Sequence, residues 1–295
     1  MKYVAGIDGG QTTTAAAVGD ERGRILGRGI AGPADEVGQD AGSTRMRDAL
    51  SNALRAACKD AGLDADTHFE AIVAGVSGYE GRVYGKVPQL RGTRFVLMHD
   101  APIAHAGALA GRPGIVVIAG TGSVVYATDG KQGWTLGGWG YLFGDEGSAF
   151  WFASNAIRAA MYGEDHGVDP NHARDKICTY FGVPSLRALA RAFYAGEISR
   201  ARIASFASEP DKADVLGGAN ALAMLVRESV VRGAPARVAL VGGMFSSAEF
   251  TQEVRAHVKR WLPAAQIVDP KYDPAAGALL LAYREAGISG IEIAS

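Results

Sequence analysis

Short apolar runs broken by glycine turns open the chain. Lys2 to Ile7, Thr13 to Val18 and Arg24 to Ile30 have the composition of strands, and Gly9-Gly10 and the run Gly19 to Gly23 separate them. The spacing predicts an antiparallel meander. The period then changes. Met46, Leu50, Ala53, Leu54 and Ala57 recur at helical spacing, with Ser43 as the expected cap and Gly62 as the stop. A strand is expected at Ala71 to Val76, a short helix at Gly81 to Leu90, and a strand at Arg94 to Met98 that ends on His99-Asp100. Ala101 to Ala110 reads as helix.

At Gly114 the same order starts again. Ile115 to Ala119 reads as a strand, Gly120-Thr121-Gly122 as a turn, Ser123 to Thr128 as a strand and Trp134 to Leu136 as another. A helix follows at Gly147 to Tyr162, then a mostly helical stretch to Arg232. A strand at Val238 to Val241, a helix from Ser247 to Trp261 and a last helix from Pro274 to Ala286 complete the pattern. A strand, glycine turn, strand unit in each half predicts a duplicated α/β fold with a cleft between the halves.

The two glycine turns are the first candidate chemistry. A turn without Cβ atoms lets backbone N–H groups approach an anion. Gly9, Gly10, Gln11, Thr12 and Thr13 on one side, with Gly120, Thr121 and Gly122 on the other, would then clamp a polyphosphate. Asp8 ends the first strand. As a carboxylate it would avoid phosphate and hold a hydrated Mg²⁺ that bridges to it. Either turn alone can simply close a hairpin; two in matching places favour the clamp. Neither GxxxxGK[ST] nor GxGxxG occurs, so the P-loop and dinucleotide readings lack their signatures.

Composition narrows the class. Of 295 residues, 48% are hydrophobic and 21% charged, and 30 basic residues balance 31 acidic ones. No basic field exists to hold nucleic acid or an anionic membrane. The longest apolar stretch, Gly277 to Tyr283, falls far below the roughly 20 residues a bilayer requires. Two cysteines, Cys58 and Cys178, without CxxC argue against a disulfide framework or a cysteine zinc site. With no signal-type segment at the N-terminus, a cytoplasmic setting is expected.

The stretches "GIDGGQTTTAAAV", "GVSGYE", "HDAPIAHAGAL", "VVIAGTGSVVYA", "GGWGYLFGDEGSAFW" and "LVGGMF" occur in this order across residues 6 to 245. Together they resemble the sugar kinase, Hsp70 and actin superfamily. More narrowly, they resemble the N-acetylglucosamine kinase branch of the group holding the BadF/BadG/BcrA/BcrD ATPases. "GGWGYLFGDEGSAFW" is the most specific of them. The resemblance implies two ribonuclease H-like (actin-like ATPase) lobes of α/β class with an interlobe cleft. Residues 1–108, with 274–295 returning, would form the first lobe and 109–273 the second. It implies a homodimer, with ATP, Mg²⁺ and a small-molecule sugar as partners.

Roles follow the motifs. Asp100 is the expected base for the sugar hydroxyl, with helix capping as its plain alternative. Ser77, Asp100, Thr121, Gly122, Trp139 and Asp145 would meet the sugar, Trp139 by stacking unless it is a core plug. Gly242-Gly243 resembles the adenosine turn. Where relatives carry Asn after the third strand, this chain has Asp35 and Glu36. A carboxylate there suits the ammonium of glucosamine or a sugar hydroxyl. The expected activity is ATP-dependent phosphorylation of an amino sugar, foremost N-acetylglucosamine at its 6-hydroxyl, with glucosamine or another hexose as the alternative. An ATPase that activates an iron–sulfur reductase is a distant third, because neither cysteine follows a phosphate turn.

Overall fold

The computed structural model describes residues 1–36, 39–169, 172–207 and 212–294. The chain builds two five-stranded mixed sheets. The first contains β1 (Tyr3–Gly9), β2 (Thr14–Asp20), β3 (Ile25–Ala31), β4 (Phe69–Val76) and β5 (Gly92–His99), in the order β3-β2-β1-β4-β5. Strands β1 to β3 pair antiparallel, whereas β4 and β5 add in parallel. The second contains β6 (Gly114–Ala119), β7 (Ser123–Thr128), β8 (Gly133–Gly137), β9 (Arg237–Val241) and β10 (Gln266–Val268), in the order β10-β9-β6-β7-β8. Read from the meander edge, the two orders are the same. The repeated pattern of the sequence is therefore a repeat of topology.

The parallel additions require crossovers, and helices supply them. In the first half α1 (Arg45–Asp60) crosses from β3 to β4. Its apolar stripe of Met46, Leu50, Ala53, Leu54 and Ala57 is buried on one face of the sheet. Ser43 does not cap it. Thr44 holds the cap position without a side-chain bond, and the Ser43 hydroxyl accepts the Arg45 N–H at 3.3 Å. The expected short helix at Gly81 to Leu90 is absent. That segment is an irregular loop in which Gly81 takes φ +85°, and the N–H groups of Tyr84 and Gly85 donate to the Glu36 carboxylate at 2.7 and 3.0 Å. A buried carboxylate thus takes the donors that a helix would have used.

The long helical stretch divides into α3 (Ala149–Asp165), α4 (Ala173–Phe181), α5 (Leu186–Tyr194), α6 (Arg200–Ala204) and α7 (Lys212–Val231). Residues 170–171 and 208–211 of that stretch lie outside the described residues. Helices α3 to α6 close around a core of their own that includes Phe150, Ile157, Ile177, Leu186 and Leu189. Strand β10 was not anticipated; three residues at a sheet edge leave too little period to read. Helix α8 (Ala248–Trp261) opens on Ser247, whose hydroxyl accepts the Phe250 N–H.

Helix α2 (Asp100–Ala108) and α9 (Pro274–Glu285) form the join between the sheets. Helix α9 lies on the second face of the first sheet, in a core with Val4, Ala17, Ala71, Val73 and Ile103. The approach is close: a Cβ on Gly6 of β1 would sit 2.1 Å from the Leu279 nitrogen. At its far end α2 meets the second sheet, where Ala108 and Leu109 pack on Val116 and Ala239. The outgoing and returning chains are tied there, Lys271 N–H to the Ala108 carbonyl at 3.0 Å and Tyr272 N–H to Gly107 at 3.2 Å. Among the described residues no helix is long and apolar enough to cross a membrane.

Candidate active site

The first glycine turn joins β1 to β2. Gly10 N–H donates to the Thr13 carbonyl at 2.8 Å, and the Gly9 carbonyl accepts the Ser77 N–H at 2.8 Å. Gly10 is thus engaged within the turn, and its N–H is not the free donor that was expected. Among the described residues the N–H groups of Gln11, Thr12 and Thr13 meet no protein acceptor. The same bond fastens Ser77 beside the turn. Ser77 lines a cavity of about 280 Å³ together with Glu36, Met46, Tyr79 and Tyr84, all from the first half.

The second turn repeats the arrangement. Gly120 N–H donates to the Gly122 carbonyl at 2.9 Å, and the carbonyls of Gly120 and Thr121 accept the N–H groups of Ala149 and Phe150. The turn is therefore stapled to the first turn of α3, and the N–H groups of Thr121 and Gly122 meet no acceptor among the described residues. Gly242 follows β9 at φ +113°, where a Cβ would press to 2.3 Å from the Ala119 carbonyl oxygen. Next to it, Gly243 faces open space.

Between the turns stands a group of acids. Burial, followed by the charges of Asp100 and Asp273, pushes the Asp8 carboxyl up to about 7. Those three carboxylates thus share a region. Asp273 escaped the sequence reading because Asp before Pro274 reads as a helix cap. It is one, with Oδ1 accepting the Ala276 N–H at 2.8 Å, while Oδ2 pairs with Arg28 at 2.8 Å. Asp100 is not the cap of α2. It is the first helical residue, and His99 caps the helix by accepting the Ala101 N–H on Nδ1 at 3.1 Å. Negative charge that raises a carboxyl this far fits a divalent cation, and turns with unengaged N–H groups fit phosphates. The one triad of metal-ligand type among the described residues, Asp169, His172 and Asp175, is exposed on the helical insertion.

The loop from Gly137 to Gly147 contributes Trp139 and Asp145. Trp139 is 77% exposed, so it is not a core plug. Asp145 is its opposite: 4% exposed and in the left-handed region at φ +62°, a conformation Asp tolerates better than most residues. Its Oδ2 is 2.8 Å from Arg200 Nη2. The Arg200 guanidinium lies 5.3 Å from the Tyr141 ring centroid, and a Cβ on Gly122 would come within 2.6 Å of it. Arg200 was read only as part of a helical stretch, and nothing in its local sequence marked it. Asp35 faces inward and is paired with Arg45 at 2.9 Å, and Glu36 is occupied by the loop after β4. Of the cysteines, Cys58 is buried in the first core and Cys178 half-buried in α4.

Two α/β lobes of one topology, with paired glycine turns and an acid between them, define the ribonuclease H-like, actin-like class of phosphate-handling proteins. Within that class, residues 5–282 match the BadF/BadG/BcrA/BcrD ATPase family, and the chain belongs to it. It is 26% identical, over 97% of its own length and 99% of the relative's, to an N-acetylmuramic acid/N-acetylglucosamine kinase of Clostridium acetobutylicum. A glucosamine kinase of Vibrio cholerae is 27% identical over 58% of each chain. Among solved structures, a provisionally named N-acetylglucosamine kinase of Chromobacterium violaceum superposes with a TM-score of 0.71 at 26% identity, covering 95% of this chain and 99% of the other.

Proposed function

We propose that the chain is an ATP-dependent amino-sugar kinase, with N-acetylglucosamine and its 6-hydroxyl as the first assignment. The observation that carries the reading is the meeting of Asp8 and Asp100 between two glycine turns with unengaged N–H groups. The family and the sugar-kinase relatives support it. The turns at Gly9 to Thr13 and Gly120 to Gly122 bind the phosphates of ATP, and Gly242-Gly243 leaves room for the adenosine. Ser77, Thr121, Trp139 and Asp145 line the sugar side. Both substrates are small molecules, and the homodimer is part of the same reading.

Phosphoryl transfer asks mainly for positioning and charge neutralisation. Asp100 orients the sugar hydroxyl and takes its proton as the oxygen bonds to the γ-phosphorus. The bond from that phosphorus to the bridging oxygen breaks, and ADP leaves. Asp8 is the residue that would hold Mg²⁺, which when bound offsets phosphate charge. Asp273 adds to the acid group and keeps α9 in place through its cap.

A phosphorylation screen over N-acetylglucosamine, glucosamine, N-acetylmannosamine, N-acetylmuramic acid and glucose tests the assignment. Asp100→Asn is expected to lower turnover roughly 10²-fold or more. Sugar binding should stay within about tenfold of wild type in that variant, since the carboxylate acts mainly in the transition state. Unchanged turnover would remove Asp100 from the chemistry. Asp8→Asn should raise the Mg²⁺ concentration needed for half-maximal rate, and an unaltered requirement places the metal elsewhere.

A further inference from the structure

Five buried side-chain polar atoms find no hydrogen-bond partner among the described residues, and three of them belong to one neighbourhood. Asp35 Oδ1 and Arg45 Nε are on the first lobe, and Arg200 Nε is on the second. Arg45 Nη2 lies 2.9 Å from Asp35 Oδ1, close enough to pair charges but off the hydrogen-bond direction. Arg200 comes from α6 in the other half, yet its charge acts on the Asp35 carboxyl. Buried polar atoms without partners cost free energy, and a ligand that supplies the partners recovers it.

Resting on the kinase reading, we propose that Asp35 and Arg200 form, across the cleft, the subsite that reads the substituent on the sugar's amino nitrogen. The subsite selects an acylated nitrogen over a free one. An amide offers one donor and one acceptor on adjacent atoms. Its N–H suits Asp35 Oδ1 and its carbonyl suits the Nε–H of Arg200. A free ammonium fares worse. Asp35 is already charge-paired with Arg45, and the ammonium would also face Arg200, so the two acids Asp35 and Asp145 are balanced by two guanidiniums. A carboxylate on a neighbouring carbon would satisfy the arginines but stand against Asp35. The carboxylate after the third strand, taken by itself, pointed to an ammonium; its arginine neighbours reverse that preference.

The position of Arg200 is fixed from three sides. Asp145 holds Nη2 at 2.8 Å, and the rings of Tyr141 and Phe150 lie under the guanidinium at 5.3 and 6.0 Å. Gly122 leaves the space it occupies. A guanidinium fork held in this way can direct Nε toward one acceptor, which a lysine cannot do.

Calorimetric titration of the full chain with N-acetylglucosamine, glucosamine and N-acetylmuramic acid tests the subsite without relying on turnover. Wild type should bind N-acetylglucosamine roughly tenfold or more tighter than glucosamine, the scale of one well-made polar contact. Arg200→Gln should weaken N-acetylglucosamine about tenfold and leave glucosamine within about threefold. Arg200→Lys keeps the charge and the pairing with Asp145 but loses the fork, so it should show the same selective loss and serves if Arg200→Gln does not fold. Equal losses on both sugars would reduce Arg200 to a support for Asp145 and overturn the proposal. A wild-type preference for N-acetylmuramic acid that Arg200→Gln abolishes would assign Arg200 to a carboxylate and overturn it too. No binding of any sugar by the folded protein would refute the kinase reading along with the subsite, whereas binding without discrimination refutes the subsite alone.

Discussion

One imidazole nitrogen at the head of α2 has two claimants. His99 Nδ1 accepts the Ala101 N–H at 3.1 Å and lies 2.8 Å from Asp100 Oδ1. Without a proton it can cap the helix, and with one it can only donate to Asp100. The hydrogen bond to Asp100 raises the His99 pKa above its ordinary 6.5, against burial, with the charges of Asp100 and Glu80 adding to the rise. A raised folded value means the protonated pair contributes stability below the ordinary pKa, and that contribution is lost as pH rises through the folded value. The same proton occupies the oxygen that would accept the sugar's proton. Turnover is therefore expected to rise with pH along a limb set above 6.5. His99→Asn, which can still cap through its amide oxygen, should move that limb to lower pH. A limb that does not move would make His99 a cap and nothing more. Asp8, Asp100 and the two glycine turns were legible in the chain because their signal is local: a strand, then residues that only a special turn explains. Asp273 and Arg200 were not. One is hidden in an ordinary capping pattern and the other in a charged helical stretch, and only the tertiary fold gives either a neighbour worth naming.

Helices fared better than the segments between them. The period of α1 was plain, as was the cap-and-proline start of α9, whereas the loop after β4 was misread because its organiser, Glu36, lies 48 residues from Tyr84 in sequence. Small residues carry the contact between α2 and α9. A Cβ on Gly277 would sit 2.0 Å from the Ile103 carbonyl oxygen and 2.4 Å from the Gly107 nitrogen, both backbone atoms that cannot swing aside. Gly277→Ala must therefore part the two helices. The expected cost is about 3 kcal/mol, the upper range for overpacking. In thermal unfolding that corresponds to a Tm lower by roughly 6–12 °C. A change under about 2 °C, less than one kcal/mol on the same scale, would mean the join is loose enough to absorb a methyl group. Since α2 begins at Asp100, the variant should also lower turnover.

For the molecule as a whole, the duplication was readable because order along the chain survives where residue identity does not. The interlobe chemistry was not readable, since no spacing in sequence brings Asp35 beside Arg200. The proposed sugar contacts come from both lobes, and the only chain crossings between the sheets run side by side at Ala108 and Lys271. Sugar therefore gains its full set of contacts only when the lobes approach, and binding should shift the population toward that closed form. Small-angle scattering with N-acetylglucosamine present is expected to give a smaller radius of gyration than without it. An unchanged radius at saturating, independently measured binding would rule out closure by sugar.

The seat of α9 on the first sheet also bears on how the protein comes into being. A ribosome delivers Tyr3 through His99 early, and all five strands of the first sheet are then in hand. The face formed by Val4, Ala17, Ala71 and Val73 nevertheless stays bare, because its cover lies at Pro274–Glu285. The second sheet and its helices, made entirely of residues between Gly114 and Val268, can finish first. The half that is translated first is thus the half that matures last. For most of its synthesis the nascent chain carries an oily sheet face that chaperones must shield until the final helix is released.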